Sequence, residues 1–177
     1  MQAPSERPRN TALIYTEEER ARRDATPWTL VQGALAPIQF FIFLVSVVLV
    51  LRFIATGRGF EAAAASVVVK TLALYAIMIT GSIWEKVVFG RYLFAPSFFW
   101  EDAFSMIVLA LHTAYLAALL FGLLSDRGKM FLALAAYASY FINAGQFILK
   151  LRAARKELER AGGQPGAGAC VAMDGVR

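Results

Sequence analysis

Four long apolar stretches dominate the 177-residue chain, the outer pairs separated by short polar breaks and the middle pair by a longer connection. The first covers about 36–55 and reads "APIQFFIFLVSVVLVLRFIA"; the others cover about 62–84, 103–124 and 130–151. Each is close to the roughly 20 apolar residues that a helix needs to cross the hydrocarbon core of a bilayer. "TGRGFE" divides the first pair and "SDRGK" the last pair. Connections this short make the flanking helices antiparallel neighbours. The pattern predicts an all-α integral membrane protein, with four transmembrane helices in an antiparallel bundle.

Ahead of the first span, Thr26 before Pro27 reads as an N-cap followed by proline at the first helical position. A helix from Pro27 to Ala55 would be about 44 Å long, more than the hydrocarbon requires. Pro37 offers a kink. The expectation is an interfacial N-terminal helix portion, anchored by Trp28, leading into the span proper. The chain then divides into a polar cytoplasmic N-terminal tail (1–26), a four-helix transmembrane domain (27–157) and a flexible, Gly-rich C-terminal tail (158–177).

Composition strengthens the membrane reading. Apolar residues make up 58% of the chain, and the 18% that are charged crowd into the tails and connections. The mean hydropathy of +0.54 lies above the ordinary soluble range. The net charge of +5 does not point to nucleic acid, because the basic residues flank the spans. Lys and Arg in such places mark the cytoplasmic side of a lipid bilayer. Arg7, Arg9, Arg20, Arg22 and Arg23 precede the first span. Lys150, Arg152, Arg155, Lys156 and Arg160 follow the last, and Lys86 and Arg91 lie in the middle connection. The other two connections are less basic, which puts both termini and the middle connection in the cytoplasm. Cys170 is the sole cysteine, so an intrachain disulfide and a cysteine-based metal site are excluded. The chain has no Gly-rich phosphate loop, GxSxG or HExxH motif.

Ionisable groups inside spans are costly, and they mark function by default. Here they are Lys70 in the second span and His112 in the third, with Gln39, Asn143 and Gln146 as neutral additions. Lys70 is nine residues from Glu61 and His112 ten from Asp102, so both lie about 14–15 Å into their helices. Antiparallel packing can bring them to similar depth. Helix-to-helix hydrogen bonding is the plain alternative. A midplane imidazole also suits axial ligation of a metal tetrapyrrole, or proton transfer.

The middle connection, "GSIWEKVVFGRYLFAPSFFWEDAFSM", gathers three carboxylates and two tryptophans at one end of a helix pair. Glu85 is expected to end the second span, and Glu101 and Asp102 to begin the third. Trp84 and Trp100 suit a membrane interface, and the two acids suit a helix N-terminus. The residues between are aromatic rather than polar, as in a re-entrant or interfacial cap over a flat apolar ligand. Glu101, Ser105 and His112 share a helix face to within about 40°. Glu101 and His112 are about 16 Å apart along the axis, so they can bracket one large ligand but cannot touch.

"DATPWTLVQGALAPIQF", "SVVVKTLALYAIMITGSIWEKVVFGRYLFAPSFFWEDAFSM" and "LALHTAYLA" resemble the 3-vinyl bacteriochlorophyllide hydratase family, named 2-vinyl in older ring numbering. The likeness covers roughly Tyr15 to Arg155. It implies a lyase of bacteriochlorophyll synthesis in the bacterial inner (intracytoplasmic) membrane. Such an enzyme adds water across the C3 vinyl group of a magnesium chlorin, such as chlorophyllide a, to give a 1-hydroxyethyl group. The substrate brings its own magnesium, no further cofactor is implied, and other pigment-synthesis enzymes are candidate partners. Hydration needs a proton donor and carboxylate charge to steady a cation and orient water. Glu85, Glu101 and Asp102 can divide these roles. Glu101 is the expected acid, because it shares a face with Ser105 and His112. His112 can ligate the substrate's magnesium and Lys70 can meet its propionate. Ser105, Trp84 and Trp100 complete the expected binding set. A pigment-binding or assembly protein without turnover, and a small transporter using Lys70 and His112 as relays, are the rival readings.

The charge bias gives a direct test. Reporter fusions after Gly59 and after Gly163 should report opposite sides of the membrane, and the same side for both contradicts the four-span topology.

Overall fold

The structure, a computed structural model, describes residues 15–162. Among these residues there are five helices: α1 (Glu17–Ala25), α2 (Pro27–Thr56), α3 (Phe60–Phe89), α4 (Phe99–Leu120) and α5 (Asp126–Gly162). The last four each contain a segment long and apolar enough to cross a membrane, which bears out the expected all-α membrane fold. Only 22–33% of each apolar window is buried inside the protein, so most of its apolar surface faces outward. A bilayer accommodates such a surface and water does not.

The N-terminal region is more ordered than a polar tail. Thr16 and Glu19 form a reciprocal capping box, with Glu17, Glu18 and Glu19 in the first turn of α1 and Arg22 and Arg23 in the last. That arrangement complements the helix dipole. α1 packs on α3. The Thr16-x-x-Glu19 spacing was the readable signal for this helix. Thr26 then caps α2, its hydroxyl accepting the Trp28 N–H, and Pro27 opens the helix as expected. α2 runs through Pro37 as one element of 30 residues, so the expected interfacial portion and the span are continuous.

α3 is longer than the apolar run alone implied. It passes Trp84 and Glu85 and stops at Gly90, whose φ of +79° is the left-handed conformation of a glycine C-cap. Glu85 and Lys86 are good helix formers, and polarity by itself does not end a helix. The connection to α4 therefore shrinks to residues 90–98. α5 likewise extends to Gly162, past the expected start of the C-terminal tail at 158. Residues 1–14, the remainder of that tail and Cys170 lie outside the described residues.

α2 packs mainly on α3, and α4 mainly on α5, so the bundle is two antiparallel hairpins laid together. The hairpins join through a core of Phe43, Val50, Val67, Tyr115, Met130 and Tyr137, among others. Ala63 and Ala64 of α3 and Ala133 of α5 belong to the same core, where small side chains let helices approach closely. Ser46 ties three helices together, its hydroxyl bonded to Ser66 of α3 and to the Tyr137 hydroxyl of α5.

Candidate active site

The α3–α4 end of the bundle carries the densest chemistry. Glu85 stands on the last turns of α3, and Glu101 and Asp102 stand on the first turn of α4. All three are buried. The side chains of Glu85 and Asp102 come together across the gap between the helices, and the Ala95 backbone amide faces Glu85. Asp102 also accepts the Phe94 N–H at 2.7 Å. Phe94 has a φ of +58°, unfavourable for a bulky residue, so Asp102 pins a strained point of the connection. Glu85 Oε2 is buried with no hydrogen-bond partner.

Glu101 is held differently. Lys150 of α5 reaches it at 2.7 Å and also donates to the Ser97 carbonyl. The same ammonium lies over the Phe98 ring, 4.5 Å from its centroid. In the sequence Lys150 stands out only as an orientation marker. Its spacing from Asn143 and Gln146 was the available signal, because steps of three and four residues place all three on one face of α5.

An aromatic cluster covers this corner. Phe98 stands at its centre, with Tyr15, Trp84, Phe89 and Phe147 at centroid distances of 5.8–6.2 Å. Trp84 is fixed further by its indole N–H, which donates to the Thr29 hydroxyl of α2 at 2.9 Å. Trp100 is placed otherwise: it is 71% exposed and packs edge-on against Phe99. The two tryptophans therefore have different surroundings despite their matching Trp-Glu contexts.

Deeper in the bundle, Glu101, Ser105, Val108, His112 and Tyr115 are all buried, so the shared face of α4 does turn inward. Ser105 Oγ accepts from Asn143 Nδ2 at 2.8 Å. His112 is fully buried, and its Nδ1 meets the Val108 carbonyl at 2.8 Å. That bond makes Nδ1 the protonated nitrogen and leaves the Nε2 lone pair free, and Nε2 has no partner. Lys70, also fully buried, is close enough to His112 to act on it electrostatically. The two occupy neighbouring depths, as antiparallel packing of α3 and α4 predicted. Tyr137 packs beside the imidazole at 5.8 Å.

α3 and α4 touch sparingly between these layers. Tyr75 is hydrogen-bonded to Thr113 at 2.8 Å, and Glu85 reaches Asp102. Residues 75–84 of α3, between those contacts, include no buried side chain.

These features define a four-span membrane protein with a buried acid pair beside an aromatic cluster at one end and a buried imidazole deeper inside. A model of the 2-vinyl bacteriochlorophyllide hydratase family matches residues 15–153. Among curated proteins, a 2-vinyl bacteriochlorophyllide hydratase of Rhodobacter capsulatus is 70% identical over 142 residues, 80% of this chain and 82% of that one. A protein of the same name from Cereibacter sphaeroides is 64% identical over 149 residues, 84% of this chain and 92% of that one. No solved structure matches. The chain belongs to the 2-vinyl bacteriochlorophyllide hydratase family.

The Glu101–Lys150 contact makes a thermodynamic prediction. Replacing one partner leaves the other charge poorly compensated, whereas replacing both removes the mismatch. Glu101→Gln and Lys150→Met should each destabilise the protein by about 1.5–3 kcal/mol, a typical range for charge-assisted hydrogen bonds. The double variant should lose less than the sum. Thermal unfolding in detergent checks this, and strictly additive losses would show that the pair contributes no coupling.

Proposed function

We propose that this chain is a hydro-lyase that hydrates the C3 vinyl group of chlorophyllide a or a vinyl bacteriochlorophyllide, giving a 1-hydroxyethyl group during bacteriochlorophyll synthesis. The observation that carries the reading is the meeting of Glu85 and Asp102 beneath the aromatic roof, in a chain 70% identical to a named hydratase. The substrate is a flat amphiphile, suited to a bundle with an apolar outer surface. Its magnesium arrives with it.

The residues divide the chemistry as follows. Glu85, whose Oε2 is free, donates its proton to the terminal vinyl carbon. The cation formed on the adjacent carbon is delocalised into the macrocycle, and the Asp102 carboxylate steadies it. Water attacks that carbon and gives up a proton to Asp102. The contact between the two carboxyls then returns the proton to Glu85, so the enzyme is regenerated and the net addition is one water. Two neighbouring carboxyl groups sharing one proton are a recurrent acid–base device.

This assignment replaces Glu101 as the acid. Glu101 is engaged by Lys150 at 2.7 Å, whereas Glu85 Oε2 is left without a partner. Glu101 instead fastens the end of α5 to the connection, which holds Phe98 and the roof in place. Ser105 is a positioning residue tied to α5, and Trp84 forms part of the roof. Trp100 is an interface anchor rather than a substrate contact. His112, with its tautomer fixed and Nε2 free, is suited to ligate the substrate's magnesium. Both termini lie in the cytoplasm of the bacterial inner membrane, which places the acid pair at the cytoplasmic end, within reach of water.

The test is turnover and pigment affinity, measured separately on purified variants with a vinyl chlorin. Glu85→Gln should lose about 10²–10⁴-fold in rate, the usual contribution of a positioned acid, while still binding pigment. His112→Ala should chiefly weaken binding. A full hydration rate in Glu85→Gln would contradict the acid assignment. Stable pigment binding by the wild-type protein without gain of water would replace the hydratase with the pigment-binding reading.

A further inference from the structure

Resting on the hydratase reading, we infer that Thr29 is a positioning residue for the reaction: it hangs the Trp84 indole from the end of α1, and so sets the aromatic roof over the acid pair. The Thr29 hydroxyl has one hydrogen, which it donates to the Arg23 carbonyl at 2.6 Å. Its oxygen is thereby turned to accept the Trp84 indole N–H at 2.9 Å. Arg23 lies in the last turn of α1, where backbone carbonyls have no partner within the helix. One hydroxyl on α2 therefore joins the end of α1 to a ring on α3.

α1 has no buried residue of its own, and contacts at its two ends tie it to the roof. Just ahead of it, the Tyr15 ring stacks on Phe89 at 5.7 Å and lies 6.2 Å from Phe98. The Arg23 guanidinium covers Tyr15, 4.9 Å from its centroid. At the other end, the Arg23 carbonyl holds Thr29 and, through it, Trp84. Both ends meet the same aromatic cluster, because Trp84 packs edge-on against Phe89 and Phe98 at 5.8 and 6.1 Å.

The roof is joined to the acids through the backbone. Trp84 immediately precedes Glu85 on α3, and the Phe98 carbonyl accepts the Asp102 N–H at 3.0 Å. A rotated indole would lose its edge contact with Phe98, the residue whose carbonyl carries Asp102. Thr29 is not needed to hold α2 to α3. Gln32 Nε2 donates to the Thr80 hydroxyl at 2.7 Å, about one turn further along the same pair of helices. That tie orients no aromatic ring, so the two bonds separate positioning from simple helix contact.

The experiment measures turnover of a vinyl chlorin by purified Thr29→Val, Thr29→Ser, Trp84→Phe, Thr80→Val and the Thr29→Val/Trp84→Phe double variant. The indole N–H signals of protein carrying isotope-labelled tryptophan are recorded in detergent, the Trp84 signal being the one absent from Trp84→Phe. Thr29→Val should lower kcat/KM by about 10–100-fold, as misplacement of reacting groups by a remote change does. It should also shift the Trp84 signal and speed its hydrogen exchange. Thr29→Ser keeps the hydroxyl, and should keep both the rate and the signal. Trp84→Phe should lose rate as Thr29→Val does, and the double variant should lose no more than the worse single one, because both substitutions cut one link. Thr80→Val should stay near the wild-type rate. Wild-type turnover in Thr29→Val, or an unmoved Trp84 signal, would overturn the inference. So would an equal loss in Thr80→Val, or fully additive losses in the double variant. Should Thr29→Val not fold, a wild-type rate in Trp84→Phe overturns the inference by itself. Failure of the wild type to hydrate the pigment overturns the hydratase reading instead, and the Trp84 signal still reads the Thr29 link.

Discussion

The structure is governed by the cost of placing polar groups in a bundle that is surrounded by lipid. Each unpaired polar group in such a medium costs several kcal/mol, because no solvent is present to take the hydrogen bond. Most of the interior polar atoms meet that cost within the protein. Ser46 joins Ser66 and Tyr137, Asn143 meets Ser105, and Glu101 meets Lys150. These contacts cross between helices, so they also fix the relation of the two hairpins. Among the described residues other buried atoms are left open: Glu85 Oε2, His112 Nε2 and Lys70 Nζ, together with atoms of Arg20, Gln39, Tyr115, Asn143 and Gln146.

The connection between α3 and α4 shows how the scaffold serves the site. It is short, runs from a glycine cap to a helix start, and contains a phenylalanine in a conformation that bulky residues avoid. Asp102 holds that point through a backbone hydrogen bond while its side chain meets Glu85. One residue thus couples the shape of the loop to the acid pair. Lys150 does similar work from the other hairpin, joining Ser97, Glu101 and the Phe98 ring.

Much of this was legible in the sequence, for identifiable reasons. Length and hydropathy place the spans because a bilayer sets a fixed thickness. Thr26-Pro27 marks the start of α2, and the stripe through Glu101, Ser105 and His112 turns inward as its spacing requires. The acid cluster was visible because α3 ends and α4 begins around it. The partners were less so. Which of two nearby carboxylates is paired depends on Lys150, 49 residues away in sequence, and no local pattern carries that contact. Polarity at Glu85 predicts an earlier end for α3, whereas Gly90 is the physical stop. The unlike settings of Trp84 and Trp100 arise from tertiary contacts to Thr29 and Phe99, which their shared Trp-Glu pattern does not reveal.

The proposed hydration requires a chlorin to lie along α3 and α4 with its reactive arm at the acid pair. A structure determined with a bound analogue that carries ethyl in place of vinyl, and so cannot be hydrated, tests this most directly. The ethyl arm is expected to contact Glu85 and Asp102 beneath Phe98, with His112 facing the metal. A ring bound in the reverse orientation, or on the outer surface of the bundle with that arm remote from Glu85, would contradict it.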